Sequence, residues 1–446
     1  QDEGLIEPVG NSGLRATPSG MVVLDAVHKV QATQAFELLT RVGRLRDPQD
    51  VVRITASAGC WSRLQYLHSM TSEKRVWKQL LGTADLLTQS LIGDALGAHA
   101  EHTSPLSWAV ALLPVSEGGL GIRSCQFEAP HNSSRAFLAL DSPDEGPPRA
   151  KAVRDEAEGR RDRLLRHLHK RVINSCSEHQ DSVVRLKHQG QKGATCPYLI
   201  NANSLDGTLM QPAVAAKALH LAILGPPLSP GLTVPCGEAA HRDDPPSVGD
   251  DSLAHRVHLE ACAKLVHRRH SNVVAALKRI ADDMAPGQVR REQAIDAWGS
   301  PRDAEREDLR PGDLTVFDGA HHLFLDFTAV LQVGGVLLEA RGKHSMTEAA
   351  IIDKHKKYAA SFARVDPAAK LLPVALSGYG GIHLRTLDAI NVFSKAVENH
   401  ATAPTPLGCT ALNRRMIDAA AVPVRAAAAA HALRLGARQA HPKRPQ

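Results

Sequence analysis

The stretch Leu309 to Val330, L-R-P-G-D-L-T-V-F-D-G-A-H-H-L-F-L-D-F-T-A-V, reads as a β-hairpin. Leu314 to Phe317 is a short apolar strand, Asp318-Gly319 is a turn signal, and Leu323 to Val330 is the return strand. Asp313 opens the first strand and Asp326 interrupts the second. If the loop is Asp318 to His321, the two aspartates stand directly opposite each other. If the turn is only Asp318-Gly319, they are diagonal neighbours. Either register puts both carboxylates on one face of the sheet. Carboxylates held that close repel, and a cation between them relieves the repulsion. The plain alternative is a pair of solvated turn aspartates.

The residues on either side extend the pattern into an α/β core. Downstream, Ser345-Met346-Thr347-Glu348 is a capping box that opens a helix to about Ala363. On it Ala350, Ile351, Lys354 and Tyr358 share a face, so Lys354 sits on an otherwise apolar stripe. Lys357 lies four residues after Asp353 and suits an ion pair. Lys370 to Ser377 follows as a strand ending in Gly378-Tyr379-Gly380-Gly381, and Leu384 to Val397 as a helix. Upstream, Gln288 to Ala294 reads as a strand carrying Glu292. Before it, Val273, Val274, Leu277 and Ile280 line one face of a helix that opens on Arg268-Arg269-His270. Positive charge in a first turn opposes the helix dipole, and a phosphate partner would resolve the conflict.

Composition is permissive. A chain of 446 residues has room for several domains with real cores. Net charge of +6, with 23 histidines uncounted, leans towards a polyanionic partner such as nucleic acid. Seven scattered cysteines argue for a reducing, intracellular compartment, nuclear or cytoplasmic, and against a disulfide scaffold. No signal-like apolar core opens the chain, and no run reads as long and uncharged enough to cross a membrane. The first residue is Gln1 rather than Met, which suggests a fragment of something longer.

Ahead of the α/β region lies a histidine and cysteine cluster: Cys236, His241, His255, His258 and Cys262. His258 and Cys262 are one helical turn apart, and Cys236-Gly237 has the form of a knuckle, so a tetrahedral zinc site is one reading. A histidine-rich surface segment is the other. Further upstream, apolar residues recur at helical spacing from Met21 to about Ala100, for example Leu38, Leu39, Val42 and Leu45. Trp108 to Ser124 then runs W-A-V-A-L-L-P-V-S-E-G-G-L-G-I-R-S, a glycine passage between helices. Lys151 to Arg171 is densely charged and reads as a solvated helix.

The Trp108 to Ser124 segment resembles a signature that follows the polymerase core in reverse transcriptases of retrotransposons lacking long terminal repeats. The knuckle, Arg268-Arg269-His270, Arg310-Pro311-Gly312-Asp313, Leu325-Asp326-Phe327-Thr328, Lys354-x-Lys356-Lys357-Tyr358 and Leu372-Pro373 to Gly381 resemble, in the same order, the restriction-endonuclease-like region of such elements. The resemblance implies an α+β multidomain chain. Residues 1–20 would be irregular, 21–140 a helical thumb or connection region, and 141–225 a charged linker with helices. Residues 226–265 would be a degenerate knuckle, 266–400 a restriction-endonuclease-like α/β domain, and 401–446 an Ala-rich basic tail with a helix near Ala419 to Leu435.

The family's chemistry, carried over by that resemblance, is Mg²⁺- or Mn²⁺-dependent cleavage of target DNA, with element RNA as a second partner. Asp313 and Asp326 would ligate the metal, Lys354 would be the catalytic cation, and Glu292 a third acid. Arg268, Arg269, His270, Lys356 and Lys357 would contact nucleic acid. Cys236, His255, His258 and Cys262 would take Zn²⁺. The chain departs from the pattern in four places. Gly312 separates Pro311 from Asp313, Ser271 separates His270 from Asn272, Val234 stands where a knuckle cysteine is expected, and Thr328 stands where many such nucleases carry lysine. No polymerase aspartate pair of the Y-x-D-D kind occurs, so reverse transcription cannot reside in these residues. The alternative to a nuclease is a domesticated or relic nucleic-acid-binding protein of the same fold.

Overall fold

The computed structural model describes residues 6–9, 13–16, 33–35, 37–58, 74–97, 104–125, 147–175, 183, 186, 189, 208–224, 263–291, 312–330, 346–365, 368–377, 382, 384–401 and 408–440. These fall into two compact units: residues 1–114 with 119–175, and residues 115–118 with 176–446.

In the first unit, β1 (Ile6–Val9) and β2 (Gly13–Ala16) form an antiparallel ribbon, where the sequence suggested irregular chain over residues 1–20. Helix α1 (Pro48–Ala58) begins where Asp47-Pro48 marks a boundary. The Asp47 carboxylate accepts from Gln49 N at 2.8 Å, and proline at the first helical position sacrifices no hydrogen bond. Helix α2 (Lys74–Leu96) buries Leu81, Ala84, Ile92 and Leu96. Its Asp85 accepts from Ser124 Oγ at 2.5 Å and Cys125 N at 2.6 Å, fixing the end of the glycine passage to the helix. Helix α3 (Pro105–Leu112) is capped by Ser104, which accepts from Ser107 N. Within the passage, a side chain at Gly119 would meet Leu113 O at 2.1 Å, and Gly121 has φ +68°, so both positions demand glycine. Helix α4 (Pro147–Ser175) turns Leu168 and Val172 inward and leaves Arg163, Arg166, His167, Lys170 and Arg171 exposed, as a solvated helix should.

The second unit is a mixed α/β arrangement. Its elements are α5 (Pro212–Ala222), α6 (Ala263–Met284), β3 (Arg290–Arg291), β4 (Leu314–Phe317), β5 (His322–Val330), α7 (Met346–Val365), β6 (Lys370–Ser377), α8 (Leu384–Asn399) and α9 (Gly408–Ala440). The sheet order is β3-β4-β5-β6. The first two pairings are antiparallel, and β5 runs parallel to β6, with α7 as the crossover between them.

Alternation along the strands sorts the two faces. Leu314, Val316, Leu323, Leu325 and Phe327 point with Val374 and Leu376 into one core. There they meet Val273, Val274, Leu277 and Ile280 of α6, Ile390 and Phe393 of α8, and Leu412 and Met416 of α9. Each such side chain contributes about 1.5–3 kcal/mol on burial. The other face carries Val330 and Ala375, which pack against Ala350 and Ile351 of α7. Asp326 shares the parity of Val330, so it lies under α7 rather than in the larger core.

The C-terminal residues depart from the sequence expectation of a basic tail. Helix α9 runs unbroken past Pro423, and Leu412, Met416, Ile417, Ala419, Ala420, Ala421 and Val424 fill the main core. Alanine suits that role. It loses no side-chain entropy and lets helices approach closely. The window Ala411–Arg434 is long and apolar enough by composition to cross a membrane, contrary to the sequence reading, yet most of it is buried inside this unit. Helix α5, expected as part of a linker, also belongs here: Leu221 packs with Leu265, Ala427 and Ala432.

Thr386 fastens α8 to β6. Its hydroxyl accepts from Ala375 N at 3.0 Å and donates to Ala375 O at 3.2 Å, which satisfies backbone groups at the edge of the sheet.

Candidate active site

The hairpin register resolves the choice left by the sequence. Phe317 pairs with His322 and Leu314 with Leu325, so the loop is Asp318 to His321. Asp318 builds it. Its carboxylate accepts from Ala320 N at 2.9 Å and His321 N at 2.6 Å, and its own N–H donates to His321 O at 2.9 Å. The Ala320 bond is the main reason that its carboxyl lies below the ordinary range. Gly319, at φ +99°, supplies the left-handed step. Continued one residue beyond Leu314 and Leu325, this register sets Asp313 across from Asp326.

Asp313 is held at both oxygens. Oδ2 accepts from the Phe327 backbone N–H at 2.6 Å, and Oδ1 lies 2.9 Å from His270 Nε2 on α6. The first contact follows from the strand ends. β4 stops short, so the Phe327 N–H lacks the ladder partner that a longer strand would offer, and the aspartate supplies it. The His270 ring packs at a tilt against Phe327, with centroids 5.6 Å apart. Gly312 lets the chain enter the site closely: a Cβ there would come within 3.0 Å of Phe324 Cβ.

Asp326 is only 4% exposed. Lys354, projecting from α7, places Nζ 3.1 Å from its Oδ1 and 2.8 Å from Oδ2. The directed hydrogen bond goes to Oδ1. The shorter approach to Oδ2 is a charge contact, and that oxygen has no directed donor among the described residues. Burial pushes the Asp326 carboxyl up to about 6, and the neighbouring charge of Asp313 pushes the same way. Lys354 opposes both without cancelling them. Tyr358, one turn beyond Lys354, is buried beside this pair, and Lys354 Nζ and Lys357 Nζ lie 5.9 and 4.9 Å from its ring centroid. Burial first, and then the Asp326 charge, raise the Tyr358 hydroxyl above its ordinary range.

Three of the four residues assigned catalytic roles from the sequence are described, and two of them, Asp326 and Lys354, are in direct contact. The fourth, Glu292, lies just after β3 and outside the described residues, as do Cys236, His241, His255, His258 and Cys262. Of the expected nucleic-acid contacts, Arg268, Lys356 and Lys357 are exposed. Arg269 is 2% exposed, so its side chain belongs to the interior and not to a surface that a phosphate could reach. His270 is turned onto Asp313. The sequence held no spacing signal for that contact, because α6 and the hairpin meet only through tertiary packing. Tyr358 was legible as the i+4 neighbour of Lys354.

Among the described residues, no three His, Cys, Asp or Glu side chains converge as a metal-holding group. A pair of carboxylates still fits a hard divalent cation. Mg²⁺ is commonly held by one or two carboxylates, with waters and substrate phosphates completing the shell. Here the two acids face each other from paired strands, and one buried oxygen, Asp326 Oδ2, lacks a directed donor.

Compared with protein-family models and with curated proteins, the chain matches none.

Proposed function

We propose that the hairpin unit is a divalent-metal-dependent DNA endonuclease, and that the chain is the C-terminal part of a retrotransposon protein of the kind lacking long terminal repeats. One observation carries the reading. Asp313 and Asp326 stand opposite each other on a strand pair, with Lys354 delivered onto Asp326 by the crossover helix. Keeping a buried carboxylate beside a half-buried ammonium costs desolvation that an apolar pair would avoid, so their presence points to use.

In this reading Asp313 and Asp326 hold the cation. Once bound, Mg²⁺ or Mn²⁺ supplies a water of lowered pKa and neutralises phosphate charge. Lys354 stabilises negative charge developing on the scissile phosphate, as a preformed cation in a partly dry site. Exposed Arg268, Lys356 and Lys357 contact the DNA backbone. Zinc at the cysteine and histidine cluster, element RNA as a second ligand, and a nuclear or cytoplasmic location belong to the same proposal. The test is nicking of supercoiled DNA with Mg²⁺ or Mn²⁺ and with a chelator. Metal-dependent nicking that Asp326→Ala abolishes supports the reading, and its absence in the wild-type chain refutes it.

A second reading has its own support. The described carboxylates already have partners inside the protein: Asp313 has Phe327 N–H and His270, and Asp326 has Lys354. A relic that binds nucleic acid without cutting would keep such pairs as structure. Salt-sensitive DNA binding without cleavage would favour it.

A further inference from the structure

We infer that His270 is a positioning residue for the cation site: it orients the Asp313 carboxylate and is not itself a contact to nucleic acid. The assignment rests on the metal-site reading above. Three observations support it. His270 Nε2 lies 2.9 Å from Asp313 Oδ1, so that nitrogen is committed to the carboxylate. The other oxygen, Oδ2, accepts from Phe327 N–H at 2.6 Å. The His270 ring packs on the side chain of that same Phe327, with centroids 5.6 Å apart. Residue 327 thus holds the site twice, through its backbone to Asp313 and through its ring to His270.

The geometry defines a division of labour. Asp313 is clamped by a backbone donor and by a ring on α6, a helix whose next turns are anchored in the main core by Val273, Val274 and Leu277. Asp326 is held by Lys354, a long side chain on the opposite layer. The Phe327 N–H on one oxygen and the His270 ring nitrogen beside the other fix the carboxylate plane while leaving each oxygen a further lone pair for a cation. A carboxylate only accepts, so a hydrogen bond across this 2.9 Å contact requires a proton on Nε2, and a carboxylate oriented in this way is a better ligand than one free to rotate. Neighbouring Arg268 is exposed and free of this arrangement. Helix α6 starts at Ala263 and not at Arg268 as the sequence suggested, so Arg268 lies in its second turn, and its candidacy for a phosphate contact rests on charge and exposure rather than on the helix dipole.

The experiment is calorimetric titration of the full chain with Mn²⁺, alongside DNA-binding measurements. His270→Phe keeps ring packing on Phe327 and removes the donor, and it should weaken Mn²⁺ binding by about 10-fold or more. His270→Gln, which restores an N–H at similar reach, should recover most of that loss. Arg268→Ala should leave Mn²⁺ binding unchanged. Wild-type Mn²⁺ affinity in His270→Phe overturns the proposal, as does a loss of DNA affinity in that variant with metal binding intact. If the wild-type chain binds no Mn²⁺, or binds it equally well as Asp326→Asn, the metal-site reading itself fails and takes this one with it. If Asp326→Asn loses Mn²⁺ while His270→Phe does not, only the role of His270 fails. Should His270→Phe not fold, the ring tautomer in the Mg²⁺-bound wild-type chain, read by nitrogen NMR at pH 8, decides. An Nε2–H ring supports the assignment, and an Nδ1–H ring overturns it.

Discussion

Lys354 Nζ lies 3.1 Å from Asp326 Oδ1 and 2.8 Å from Oδ2, and it joins the crossover helix to the middle of the central strand across the smaller of the two cores. The pair does not make the aspartate comfortable. Its carboxyl still titrates at about 6, against an ordinary 3.8, with burial the main cause.

That imbalance makes stability depend on pH in a definite direction. Between about pH 4 and pH 6 the unfolded chain has already released this proton while the folded chain keeps it, so stability falls as pH rises through the window. The difference between 3.8 and about 6 corresponds to about 3 kcal/mol, lost in full above pH 6. Asp326→Asn should therefore match the wild type in urea unfolding at pH 4 and be the more stable of the two at pH 7. A variant less stable at pH 7 would show that the buried charge is better compensated than the geometry indicates.

Removing the other partner should do the reverse. Lys354→Met leaves the Asp326 charge without its nearest cation and should cost roughly 1–3 kcal/mol at pH 7, with little loss at pH 4 where the carboxyl is protonated. Combining it with Asp326→Asn should recover most of the loss, and a double-mutant cycle in urea measures the coupling.

Gly312→Ala tests the close entry of the chain into the site. The new methyl would sit 3.0 Å from Phe324 Cβ, an atom fixed to the backbone of β5. A cost of about 1–3 kcal/mol is expected, together with weaker Mn²⁺ binding as Asp313 shifts. Unchanged stability would mean that the entry has slack.

Thr386→Val keeps shape and removes two hydrogen bonds, to Ala375 N and O. Both backbone groups would be left unsatisfied in a buried place, at a cost of about 1–3 kcal/mol. Hydrogen exchange should speed up at Ala375 ahead of the inner strands. Exchange unaltered there would show that β6 does not depend on the α8 anchor.

Much of this was legible in the sequence because it depends on local rules. Asp318-Gly319 announced the hairpin, alternation placed Asp326 on one face, and helical spacing put Val273, Val274, Leu277 and Ile280 on one stripe and Lys354 above Tyr358. What was not legible depends on contacts between distant segments. Arg269 and His270 look alike in sequence as a basic helix entry, yet one is interior and the other grips Asp313. The Ala-rich C-terminus looks like a weakly ordered tail until α6 and α8 provide a surface that small side chains fill. The loop length, and with it the pairing of the two aspartates, needed the side-chain bonds of Asp318 to choose between two registers that composition allowed equally.

The most direct test of the central claim is the rate of Mg²⁺-dependent nicking of supercoiled DNA by the wild-type chain and by Asp313→Asn and Asp326→Asn, each confirmed folded by its unfolding midpoint. Nicking that needs the metal and falls about 100-fold or more in both variants, even though Asp326→Asn is the more stable protein at neutral pH, is the predicted result. Nicking that persists in Asp326→Asn, or a folded wild-type chain that binds DNA and never cuts it, would contradict the account.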